Sequence, residues 1–292
     1  MGILKMSDSF LKEAWSDHSR LWEKNTWVYP VISRRAKGLS IGVNLNPDKR
    51  CSFDCVYCQV DRSIPGSNKR LDIEAMTKEI ELIIQEYEKN GLTSFSNFKL
   101  IEESKRQIKD ICLSGDGEST LIKEFPAVCE RLLEIQHKYS KYNLKLTLIT
   151  NSTRLDQEYV REGLRYLTQT NGEIWAKLDA GTEEWFQKVN ISPYPLEVIQ
   201  RNIELTVKDF PTRIQTMWCE VDGISPSPEE VRKYIERVKK IYHHHSKNLL
   251  EVQLYSVVRN TARPHVLPVS KSFMEDVANQ LQSQIDIPVG IY

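Results

Sequence analysis

Six short apolar segments, each followed by a stretch with helical periodicity, constrain this 292-residue chain more than any other feature. The strand-like segments are Leu39–Leu45, Ile108–Ser114, Leu144–Asn151, Glu173–Asp179, Arg213–Val221 and Leu250–Val258. Between them apolar residues recur every three or four positions. In Ile73–Asn90 these are Met76, Ile80, Ile83, Ile84 and Tyr87, and Gly91 ends the helix. Further helices are predicted over 126–140, 157–167, 182–189, 196–208, 228–242 and 270–284, with Ser227 as the N-cap before Pro228. Such alternation predicts an α/β fold, built from consecutive right-handed βαβ units on a parallel sheet. Residues 91–107 read as the longest loop. Residues 1–36 read as a helical extension, with Phe10, Leu11, Ala14, Trp15, Leu21 and Trp22 at near-helical spacing and Pro30 as its stop. The core is then 37–260, and 261–292 supplies a last helix and an apolar tail.

Composition narrows the classes. Forty basic and forty acidic residues cancel, which argues against a general polyanion binder. No run approaches the ~18 apolar residues of a membrane span. The first fifteen residues lack a signal-peptide apolar block, and Ser7 falls one place too late for a myristoylation pattern. Six unevenly placed cysteines do not make a secreted disulfide scaffold; they predict a reducing, cytoplasmic setting with a metal site.

Three of those cysteines, Cys51, Cys55 and Cys58, form a C-x3-C-x2-C loop after the first predicted strand. Thiolates are soft ligands, and three at this spacing can hold three irons of a cube while the fourth keeps an open position. The loop would sit at a strand's carboxyl end, where α/β barrels place their chemistry. Two other readings stay open: a structural zinc site, which prefers four closed ligands, and three thiols that share none. Cys112, Cys129 and Cys219 fall inside predicted strands or a helix.

With Tyr57 just before its last cysteine, the loop resembles the signature of the radical S-adenosylmethionine superfamily. The run Leu113-Ser-Gly-Asp-Gly-Glu118 resembles that superfamily's glycine-glycine-glutamate element, with Ser119 where many relatives have proline. The resemblance implies a partial (β/α)6 barrel open on one side, a 4Fe-4S cluster on the three cysteines, and S-adenosyl-L-methionine as second cofactor. Its implied contacts are Gly115, Gly117 and Glu118 on the methionine ammonium, Asn151 on ribose or methionine, and Tyr57 near adenine. It also implies a one-electron donor such as flavodoxin or ferredoxin.

Strand parity adds candidates. Trp175, Lys177 and Asp179 share one face, and Lys177 and Asp179 are expected at the cavity, in contact with ribose or substrate, with Lys177 as an acid/base or carbonyl-binding group. Gln253 and Tyr255 share a face of the last predicted strand, and Arg259 at its exit suits a carboxylate or phosphate. Each of these has a plainer reading: an exposed ion pair, a turn-forming asparagine, a packed tyrosine, a surface arginine. His243, His244 and His245 are consecutive on a helix and point 100° apart, so they read as a solvated helix end.

The phrases GVNLNPDKRCSFDCVYCQVDR, LITNSTRL, KLDAGTEEWFQKVN and VQLYSVVR resemble the iron–sulfur oxidoreductase group that includes wyosine-forming tRNA enzymes. Those relatives carry further cysteines upstream for a second cluster, whereas the first cysteine here is Cys51, so a single cluster is expected. The expected substrate is a small molecule or a modified tRNA nucleoside. An activating enzyme acting on a protein partner, and a non-catalytic metal-binding module, are the alternatives. Residues 1–50 hold nine Lys/Arg against five Asp/Glu, and 229–265 hold eight against four, excesses too modest to specify RNA by themselves.

Overall fold

The six predicted strands all form, and they lie side by side in chain order. The computed structural model describes residue 22 and residues 24–93, 96–99, 101–259 and 261–292. Strands β2 (Gly38–Val43), β3 (Ile108–Leu113), β4 (Lys145–Thr150), β5 (Glu173–Lys177), β6 (Thr212–Val221) and β7 (Leu249–Ser256) make consecutive parallel pairs. Helices α1 (Ile73–Asn90), α2 (Phe125–Lys138), α3 (Glu158–Leu167), α4 (Glu183–Asn190), α5 (Leu196–Asp209) and α6 (Pro228–His245) connect them, and α7 (Lys271–Gln282) follows. The arrangement is a partial (β/α)6 barrel. No helix among the described residues is long and apolar enough to cross a membrane.

Three strands lie outside the predicted six. Residues Val28–Ser33 form β1, antiparallel to β2, where a helical extension was expected. Pro30 is tolerated because β1 is an edge strand of the sheet. Residues 1–21 and 23 of that extension, with Phe10, Leu11, Ala14, Trp15 and Leu21, lie outside the described residues. Near the other end, β8 (Val266–Pro268) pairs antiparallel with β6, and the apolar tail forms β9 (Val289–Ile291), parallel to β7. The loop expected at 91–107 contains two single helical turns, Ser96–Lys99 and Glu103–Arg106.

Local chemistry explains the boundaries. Asp72 caps α1 by accepting from the Ala75 amide at 2.9 Å, and Gly91 ends the helix in the left-handed region at φ 61°. Ser227 caps α6, whose last turn carries the exposed His243 and His244. On β5, Ile174 and Ala176 join the apolar core under the helices, each burial contributing roughly 1–3 kcal/mol. Trp175 and Cys112 are buried but stand outside that core, on the opposite face of their strands, inside the barrel.

The interior at the amino ends of the strands is closed by ion pairs. Glu173 accepts from Arg213 Nε and Lys145 Nζ, both at 2.9 Å, and from Trp175 Nε1 at 2.7 Å. Arg213 also pairs with Glu251, which accepts from the Tyr292 hydroxyl. Burial works against the Glu173 charge, but Arg213 and Lys145 outweigh it and hold its carboxyl below the ordinary range. The opposite end of the barrel is left for the site.

Candidate functional site

The cysteine loop between β2 and α1 is fixed from three sides. The Asp54 and Val56 amides donate to Asn190 and Val189 carbonyls at the end of α4, at 3.1 and 2.9 Å. Ser52 Oγ lies 2.7 Å from Thr153 Oγ1 after β4, and the Ala262 amide reaches the Cys58 carbonyl at 3.0 Å. Phe53 packs edge-on against Phe186 of α4, ring centroids 5.5 Å apart. Thus the carboxyl ends of several strands and one helix place the three sulfurs.

Those sulfurs differ from the other three. Cys51, Cys55 and Cys58 are half-buried on a cavity wall, whereas Cys112, Cys129 and Cys219 are buried. Each of the three receives N–H donors: Cys51 from the Phe53 amide and Asn151 Nδ2, Cys55 from Asn190 Nδ2, and Cys58 from the Val60 amide and Arg62 Nη1, over 3.2–3.6 Å. Burial, then the nearby Asp179 carboxylate, pushes the Cys55 thiol up to about 12; burial, then Glu118, raises Cys51. Among the described residues no group of three or more His, Cys, Asp or Glu side chains is placed to hold a metal ion. Three half-buried sulfurs on one cavity wall, each with N–H donors, fit a polynuclear iron–sulfur centre, whose thiolates are tuned by such bonds.

The loop after β3 faces the cysteines. A Cβ on Gly117 would lie 1.9 Å from the Arg50 carbonyl oxygen, and one on Gly115 would lie 2.3 Å from Asn44 Oδ1. Both glycines let this loop pack directly on the cysteine loop, and both line the cavity. Glu118 caps a short helical turn and is 3% exposed. Its Oε1 accepts from Thr120 N, Thr120 Oγ1 and Thr150 Oγ1 at 3.2, 2.6 and 2.8 Å; Oε2 accepts from the Asn151 amide at 2.7 Å. With one donor against three on Oε1, Oε2 keeps acceptor capacity, and Glu118 lines the cavity. Burial raises the Glu118 carboxyl, and these donors act in the opposite direction. Asn151 both shapes its turn, through Thr153, and touches Cys51.

Lys177 projects into the barrel as strand parity predicts. Its Nζ donates to Tyr255 Oη at 2.5 Å, lies 3.3 Å from Asp179 Oδ1, and sits 4.9 Å above the Tyr57 ring centroid. Burial opposes the ammonium, yet Asp179 and Tyr255 hold its pKa above the ordinary value. Burial and then Asp179 likewise raise Tyr57.

The main cavity, of about 310 Å³, is lined by all three cysteines and by Tyr57, Gly115, Gly117, Glu118, Asn151, Lys177, Tyr255 and Arg259. Asp179 and Gln253 do not line it. Strand β5 ends at Lys177, so its alternation no longer governs Asp179, which turns behind the wall and accepts from Tyr57 Oη, Asn190 Nδ2 and the Met217 amide. Gln253 faces inward but one layer deeper, bonded to Gln215 and Glu251. Gln215 takes its place at the cavity.

Sequence reasoning missed Arg62, Asn190 and Arg35. Arg62 bridges Cys58 and the Asp116 carbonyl, and its closeness to the third cysteine was the available signal. Asn190 touches Cys55, Tyr57 and Asp179 from a helix end 132 residues after Cys58, with no local cue.

The family model described as the Radical SAM superfamily matches residues 45–219. UPF0026 protein slr1464 of Synechocystis sp. is 29% identical over 196 residues, 65% of this chain and 63% of that protein. The first curated relatives are matched over 34%, 63% and 42% of their own lengths. Among solved structures, TYW1 with a lysine-pyruvate adduct bound gives a TM-score of 0.55 at 18% identity, covering 84% of this chain and 74% of that one. Streptococcus suis SuiB bound to S-adenosylmethionine gives 0.57 at 11% identity, covering 89% and 52%. At these identities the structural likeness is one of fold.

Proposed function

This chain belongs to the radical S-adenosylmethionine superfamily, whose cofactors are a 4Fe-4S cluster and S-adenosylmethionine, and on that premise we propose that it is a single-cluster enzyme that removes a hydrogen atom from a substrate held in the main cavity. One observation carries the reading: three half-buried sulfurs, ringed by N–H donors, share a cavity with a Gly-Asp-Gly-Glu loop. Cys51, Cys55 and Cys58 would hold the cluster. Gly115, Gly117, Glu118 and Asn151 would hold the methionine end of the sulfonium cofactor, and Tyr57 its adenine side. The chemistry that pair would supply when bound is one-electron cleavage of the sulfonium C–S bond, the electron coming from the cluster, and through it hydrogen-atom abstraction.

The remaining work belongs to this chain's own side chains. Glu118 Oε2 offers an acceptor for an ammonium, and the burial of that carboxylate strengthens the contact. Arg62, Asn190 and Asn151 donate to the sulfurs and stabilise the negative charge a reduced centre would carry. Lys177, held charged between Tyr255 and Asp179, suits a substrate carbonyl or carboxylate oxygen. An external flavodoxin or ferredoxin would deliver the electron. The wyosine-like phrases support a modified tRNA nucleoside as the substrate, with a small molecule as the other branch.

Anaerobic reconstitution with iron and sulfide tests the class. Four irons per chain, a brown absorbance and 5′-deoxyadenosine after dithionite are expected. Colourless protein, or a loaded protein that makes no 5′-deoxyadenosine, overturns it. Comparing tRNA nucleosides from cells with and without the gene tests the nucleoside branch.

A further inference from the structure

Beside the main cavity lies a smaller recess of about 90 Å³, and the two share Arg35, Tyr57, Tyr255 and Arg259 on their walls. Arg34 lines the recess as well, so three arginine residues border one small space in a chain whose charges cancel overall. No Asp or Glu lines it among the described residues. Gathering like charges is unfavourable by itself; burial, and then the adjacent Arg35, holds Arg34 below its ordinary pKa.

Arg35 makes its contacts through ring faces. Its guanidinium carbon is 5.1 Å from the Trp175 ring centroid and 5.3 Å from that of Tyr255. Such contacts fix the position of the plane and use none of its five N–H groups. Tyr255 also accepts from Lys177, so the stacked arginine is coupled to the wall of the main cavity.

We infer that this recess is a phosphate subsite, in which Arg35, with Arg34 and Arg259 beside it, holds a phosphate of the molecule whose reacting carbon lies in the main cavity. The inference rests on the reading of that cavity as the reaction chamber. A carboxylate offers two oxygens and one charge, which a single arginine fork can match. A phosphate monoester offers three oxygens and close to two charges, the better match for a recess bordered by three arginines. The phosphate could belong to a free nucleotide or sugar ester, or to a nucleotide within RNA.

The test uses iron-loaded protein saturated with S-adenosylmethionine at fixed ionic strength, with inorganic phosphate as the calorimetric titrant and acetate as the comparison anion. Phosphate is expected to bind at least tenfold more tightly than acetate. Arg35→Gln is expected to weaken phosphate at least tenfold with iron content kept, and Arg35→Lys to recover part of the loss. Lys271→Gln, which removes an exposed charge on α7, should bind phosphate like the parent. Displacement by adenosine monophosphate identifies a free ester, and displacement only by a short RNA identifies a polymer; either supports the subsite. Equal affinity for acetate and phosphate, equal losses in the Arg35 and Lys271 variants, or phosphate that neither competitor displaces overturns it. A protein that still forms 5′-deoxyadenosine while failing this test keeps the enzyme class and loses the subsite.

Discussion

Lys177 and Asp179 illustrate how a buried charge constrains its neighbours. Asp179 is 1% exposed and Lys177 supplies its only cation within ion-pair distance among the described residues. Removing one member of such a pair strands the other, so Lys177→Met is expected to cost about 3 kcal/mol. Adding Asp179→Asn should recover most of it, and paired urea titrations read the difference. Asp110 behaves differently. Burial pushes its carboxyl up to about 6 from an ordinary 3.8, against the help of Ser40 and Thr147, and its Oδ1 has no hydrogen-bond partner among the described residues. Between those two values the folded state binds more protons than the unfolded chain, so this carboxyl makes stability fall as pH rises from about 4 to 6, and level off above. The loss it contributes is about 3 kcal/mol at most. Asp110→Asn should flatten that slope and raise stability at pH 8 by roughly 1–2 kcal/mol, less than the full amount because the amide brings its own unpaired donor. Thermal melts of both proteins from pH 4 to 8 check the sign.

Elements meet at the site through backbone, which is why glycine matters at one position above others. Strand β2 ends in the cysteine loop, β3 ends in the Gly-Asp-Gly-Glu loop, and the Glu118 amide donates to the Arg50 carbonyl at 3.0 Å. Gly117 sits directly over that carbonyl. A methyl group there cannot be absorbed by a rotamer change, because the obstacle is main chain. Gly117→Ala is expected to separate the two loops, cost at least ~2 kcal/mol and lower iron occupancy several-fold. Iron analysis beside a melting curve distinguishes this from a merely weaker helix turn, which would leave iron content unchanged. The β1–β2 hairpin acts at the same scale: it covers the β2 edge and carries Arg34 and Arg35 in its turn, toward the recess.

Across the whole molecule the barrel sorts its cysteines by position. Three lie on the cavity wall at the carboxyl ends of the strands, and three are packed away from it. Cys51→Ala, Cys55→Ala and Cys58→Ala should each abolish cluster assembly. The combined Cys112→Ala, Cys129→Ala and Cys219→Ala variant should keep full iron and sulfide, at a cost of roughly 1 kcal/mol per site from the small cavities left. Iron and sulfide analysis of both sets decides; a brown triple-cavity-cysteine variant would remove the cysteine loop from the site.

Much of this was legible in the chain itself. The alternation of apolar strands with periodic helices determined the parallel sheet and its order, and C-x3-C-x2-C followed by a Gly-Asp-Gly-Glu turn marked two of the loops that face the cavity, because periodicity and ligand spacing are local properties. Strand parity correctly directed Lys177 and Tyr255 inward. Only the folded chain decided that Val28–Ser33 is an edge strand, that Asp179 stands behind the wall and Gln253 a layer below the cavity, and that Asn190, Arg62 and Arg35 reach the site. Those outcomes depend on where a strand stops, on depth within the barrel and on contacts between residues distant in sequence. Packing sets these, and no short stretch of sequence carries them.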